Sequence, residues 1–61
     1  MEKKYKTMVK DVYFGKQGNS WRFFNRDEDG TDHVVGNIYP NKDCLLADMY
    51  RYLKENWGYS T

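Results

Sequence analysis

The chain has 61 residues, with ten basic and nine acidic side chains and a net charge of +1. So short a chain buries only about 60% of its unfolded surface, which allows one thin core and excludes a second domain, so residues 1–61 are read as a single unit. The near-neutral balance sets it apart from strongly basic nucleic-acid binders, and the lone cysteine, Cys44, rules out an intramolecular disulfide.

The start, Met1-Glu2-Lys3-Lys4-Tyr5-Lys6, has no apolar run behind it, so neither a signal peptide nor a membrane span is expected. From Lys4 to Phe14 the residues alternate or are β-branched and aromatic, which predicts a first strand. Its apolar phase slips: Tyr5, Thr7 and Val9 share one parity and Val12 and Phe14 the other, which a β-bulge near Lys10-Asp11 would reconcile. The segment Gly15-Lys16-Gln17-Gly18-Asn19 reads as the following turn.

Ser20 to Arg26 is the second predicted strand, with Trp21 and Phe23 on one face and Arg22, Phe24 and Arg26 on the other. Asp27-Glu28-Asp29-Gly30-Thr31-Asp32 contains Asp-Gly between two β-like stretches, a strong hairpin signal, and His33 to Tyr39 is the third strand. Pro40 ends it, Asn41 is placed as an N-cap, and a helix is predicted from about Lys42 to Trp57 with Gly58 as its stop. Leu46, Met49, Tyr50, Leu53 and Trp57 form its apolar stripe, widened by Leu45 and Tyr52. The expected architecture is α+β: a three-stranded antiparallel meander with one C-terminal helix across one face, β-β-β-α. The other face is left bare and must present either Trp21 and Phe23 or Arg22, Phe24 and Arg26.

Catalytic groups are scarce. His33 is the only histidine and stands beside an acidic turn without a positioned nucleophile, so it reads as a surface group paired with Asp32 or Asp29. Cys44, in the first helical turn, reads as a small buried filler. Asn25 to Gly30 matches the first half of a calcium loop, but Gly36 stands where the bidentate glutamate belongs, so the turn reading is preferred and no metal or cofactor is expected. These observations predict a protein that is not an enzyme.

Lys6, Lys10, Arg22 and Arg26 could line one sheet face with Phe24 between them, mixing phosphate contacts with a stacking ring. Trp21, Phe23, Asp27, Asp29, Gly30, Tyr39 and Lys42 resemble the pattern of the AP2-like, arm-site-binding N-terminal domains of phage-type recombinases, over about residues 20–45. The resemblance implies DNA binding by the sheet. Thr31 and Asp32 depart from the basic residues that follow the turn glycine in that family, and DNA binding is therefore the second reading.

The first reading is a freestanding, cytoplasmic, non-catalytic protein that blocks or modulates a protein partner, of the kind that phages and mobile elements encode as inhibitors. Near-neutral charge and eleven aromatic rings, more than one thin core uses, point that way. The expected contacts are Trp21, Arg22, Phe23, Phe24 and Arg26 on the second strand and Asp27, Glu28 and Asp29 in the turn, with a homodimer as one form the association could take.

Overall fold

The structure, a computed structural model, describes residues 3–60. It is α+β, with one antiparallel sheet in the order β1 (Lys4–Lys6), β2 (Val12–Gln17), β3 (Ser20–Arg26), β4 (Asp32–Tyr39), and a single helix α1 (Lys42–Trp57) across one face.

Four strands replace the expected three. The stretch from Lys4 to Phe14 is two strands and a loop, because β1 turns back on β2 with Tyr5 opposite Phe14 and Lys6 opposite Tyr13. The slip in apolar parity therefore marked a reversal of the chain rather than a bulge. Thr7 closes the loop by donating its hydroxyl to the Val12 carbonyl at 2.8 Å, and Asp11 takes a left-handed φ of 65°, which Asp tolerates better than most residues. Gly15 to Gln17, expected in a turn, continue β2, and the turn shrinks to Gly18-Asn19, with Gly18 supplying the positive φ.

The helix has its predicted bounds. Asn41 accepts from the Cys44 N–H at 2.9 Å, satisfying one of the donors left open at a helix start. Gly58 adopts the left-handed conformation at the other end and its N–H returns to the Leu53 carbonyl. The stripe is rotated from the predicted centre: Leu45, Tyr52 and Leu53 are buried, Met49 and Trp57 pack beside them, and Leu46 and Tyr50 lie on the exposed flank. Phe23 decides this, since its fully buried ring stacks on Tyr52 at 4.5 Å and meets Tyr39 edge-on at 5.7 Å. Cys44 is exposed, not a buried filler.

One departure in β4 makes the helix fit. Trp21 pairs with Tyr39 but Phe23 with Val35, so two residues of β3 span four on β4. Gly36 lies in this irregular stretch with φ 74°, and a Cβ there would stand 2.8 Å from the Tyr52 ring. Strict alternation along β4 would set Gly36 with Val34 and Ile38, and it fails here because the bulge turns Gly36 toward the helix.

Candidate functional site

The helix covers the face that carries Tyr5, Val12, Phe14, Trp21, Phe23, Val35 and Tyr39. Strand alternation puts Lys4, Lys6, Tyr13, Gly15, Arg22, Phe24, Arg26, Asp32 and Val34 on the other. Of the two sets left open by the sequence, the helix-free face therefore bears Arg22, Phe24 and Arg26. Phe23 is a core residue with no exposed surface, and Trp21 packs half-buried at the edge of the same core. Neither belongs with the other expected contacts.

The helix-free face is not the open aromatic patch that alternation suggests. Phe24 is only 5% exposed although no helix lies over it. Its cover is made of charged side chains: the Lys4 ammonium sits 4.8 Å from the Phe24 ring centre, and the Arg26 guanidinium lies 4.3 Å from that of Tyr13. Both cations converge on Asp32, Arg26 at 2.9 Å and Lys4 at 3.4 Å. Hydrogen bonding from Arg26, with a smaller share from Lys4, holds the Asp32 carboxyl below its usual range, and the same bond raises Arg26.

Gly15 permits this arrangement. A Cβ at that position would lie 2.8 Å from the Lys3 carbonyl oxygen and 3.4 Å from the Lys4 Cα, so β1 crosses β2 too closely for any side chain there. With β1 held so near, Lys4 reaches past its own strand pair to Phe24 and Asp32. Arg22 is held less firmly: one terminal nitrogen donates to the Gly36 carbonyl at 3.4 Å, and its Nε is buried without a partner.

The acidic turn divides into two parts. Asp27 is occupied by its own hairpin, accepting from the Asp29 and Thr31 N–H groups at 3.0 Å each and standing 2.7 Å from His33 Nε2. His33 thus pairs with Asp27, not with Asp32 or Asp29 as the sequence suggested. The His33 contact, then the turn amides, lower the Asp27 carboxyl. Glu28 and Asp29 remain exposed at the tip.

Sequence reasoning missed Lys4, Tyr13, Asp32 and Val34 as members of this face, since they come together only through the β1–β2 reversal and the β3–β4 register. It also missed a concavity of about 440 Å³ beside the loop joining β1 and β2, lined by Lys6, Met8, Lys10, Asp11 and Tyr13 among others. Among the described residues no group of three or more His, Cys, Asp or Glu could hold a metal ion, and no helix is long and apolar enough to cross a membrane. The chain matches no family model, no curated protein and no solved structure.

Proposed function

We propose that this chain is a non-catalytic binding protein that modulates a protein partner through the helix-free face of its sheet. The observation that carries the reading is the makeup of that face: Lys4, Lys6, Arg22 and Arg26 share it with one carboxylate, Asp32, which Lys4 and Arg26 contact, and with a row formed by Tyr13, Phe24 and Val34. Arginine and tyrosine beside a partly apolar strip suit a protein contact, where both residue types are enriched. Val34 is 40% exposed and Ile38, further along the edge strand β4, 62%, which extends the apolar part beyond the charged cover. Inhibition of a host factor and a cytoplasmic setting go with this reading, the latter because Cys44 is an unpaired, exposed thiol.

The test is affinity capture with the wild type, Arg22→Ala and a control on the exposed side of the helix, Lys54→Ala. A defined partner retained by the wild type and the control and lost by Arg22→Ala is the expected result. Equal retention by all three would remove this face from the function. Sedimentation of the same samples reports whether the partner is a second copy.

A second reading, DNA binding, is favoured by one observation, the four cations facing a single carboxylate. It requires affinity for a duplex that falls steeply with salt, by roughly one log-log unit per phosphate contact, and no binding at low salt disposes of it.

A further inference from the structure

We infer that the open edge of β1, together with the side of α1 beside it, receives an extended apolar segment of a protein partner as a fifth strand of the sheet. This edge is a second surface beside the helix-free face and stands whether or not that face is a contact.

β1 is one of the two outer strands of the sheet. The Thr7 N–H donates to the Val12 carbonyl at 3.1 Å, so Thr7 turns its backbone groups toward β2. Alternation along an antiparallel pair then turns those of Tyr5 inward and those of Lys4 and Lys6 outward. The outer edge therefore offers two N–H groups and two carbonyls in the arrangement that an added strand meets.

On the covered side, the surroundings of this edge are apolar. The helix packs chiefly over β3 and β4, and β1 lies beyond it. Tyr39 on β4 donates to Asp48, and the Tyr52 ring lies against Gly36, which fixes one side of the helix toward β4. Lys42 places its ammonium 5.1 Å from the Tyr5 ring centre, which fixes the other side toward β1. Leu46 and Tyr50 follow Lys42 at four-residue steps on that side and are 38% and 44% exposed. Half-buried Tyr5 stacks on Phe14 and continues the strip onto the sheet. A strand laid along β1 sends every second side chain toward this strip, so the strip selects a segment that is apolar at alternate positions.

β4, the other outer strand, lacks this combination. Its extended run is broken at Gly36, with φ 74°, and the side of the helix next to it carries Asp48, Arg51 and Glu55 in ion pairs. With three residues and two lysines, β1 is itself too short to hold a strand by backbone bonds alone. Contact with Leu46 and Tyr50 then decides which segment it accepts.

A capped octapeptide alternating valine and serine, titrated into the isotope-labelled chain and followed by its amide resonances, tests this. The same peptide N-methylated throughout cannot form the ladder and serves as control. The expected result is a shift and slowed exchange of the Lys4 and Lys6 amides, no change at Asp32 and Val34 on β4, and no response to the N-methylated peptide. Leu46→Lys, whose fold the same spectra check, should weaken the peptide about five- to tenfold, and Ile38→Lys on β4 should leave its affinity unchanged. Should Leu46→Lys not fold, Tyr50→Ser reads the same side of the helix and should also weaken the peptide.

Silent Lys4 and Lys6 amides at millimolar peptide, protection at Asp32 and Val34 instead, equal binding of the N-methylated peptide, or an affinity indifferent to the folded helix variant would each overturn the inference. Concentration-dependent sedimentation of the free chain that the same variant abolishes would overturn it too, since the occupant would then be a second copy.

Discussion

Phe23 and Phe24 are adjacent on β3 and almost equally hidden, at 0% and 5% exposure, yet opposite means hide them. Phe23 lies among Tyr39, Leu45, Tyr52 and Leu53, under a helix. Phe24 lies under the stem and ammonium of Lys4 on a face where Arg26 and Asp32 complete the cover. Burial by apolar neighbours is insensitive to salt and to carboxylate titration, whereas burial under charged side chains depends on both. The same fractional exposure therefore describes an apolar core on one face and a charge-dependent cover on the other.

The most severe way to break this contrast is to truncate each ring in turn. Phe23→Ala should cost about 3–5 kcal/mol, most of what a chain of this size has, and leave it largely unfolded. Phe24→Ala should cost less, about 1–3 kcal/mol, because flexible stems close over the gap more readily than a packed core does. Denaturant melts measure both, and equal losses would mean that the helix-free side is a second core. Next come the glycines that admit each cover. Gly36→Ala combines a strained φ with a clash on the Tyr52 ring and should destabilise the whole fold by about 1–3 kcal/mol. Gly15→Ala should instead displace β1, seen as faster amide exchange at Thr7 with slow exchange retained in β3.

The smallest effect is that of pH. Asp32 titrates below its unfolded value, so the stability it lends is fully present above about pH 4 and is lost as the pH falls through its lowered folded pKa. The loss should stay under about 1 kcal/mol, as for other partly exposed pairs, and Asp32→Asn should abolish it. On the covered face the limit lies at the other end of the scale. Burial, helped by the 2.7 Å bond that its hydroxyl donates to Asp48, pushes Tyr39 up to about 12, so its neutral form stabilises the fold below pH 10 and that share is lost as pH rises through about 12. Melting temperatures across both ranges, for the wild type and Tyr39→Phe, would assign each limb to its face.

Much of the fold was legible because local chemistry and the global result agree: Asn41 and Gly58 cap the helix, Asp-Gly turns β3 into β4, and Pro40 ends β4. The β1–β2 reversal was not, since Thr7 to Asp11 contain neither Gly nor Pro and the loop relies on the Thr7 hydroxyl and a left-handed Asp11. The centre of the helix stripe was also hidden, because seven apolar positions offer several faces and only the Phe23 ring selects Tyr52 over Tyr50. At the candidate site, Arg22 and Arg26 were found from their parity on β3. Lys4, Asp32 and the concavity needed tertiary register, which periodicity does not carry.

The sheet order β1-β2-β3-β4 also has a consequence in time. Each strand is paired with its neighbour in sequence, so every ladder closes through a short loop and no strand waits for a distant partner. Three successive hairpins close locally, while the docking of Leu45, Tyr52 and Leu53 onto Phe23 and the reach of Lys4 to Asp32 join segments far apart in the chain. Such local pairing is the topology expected to fold fast, with the long-range contacts as its slower part.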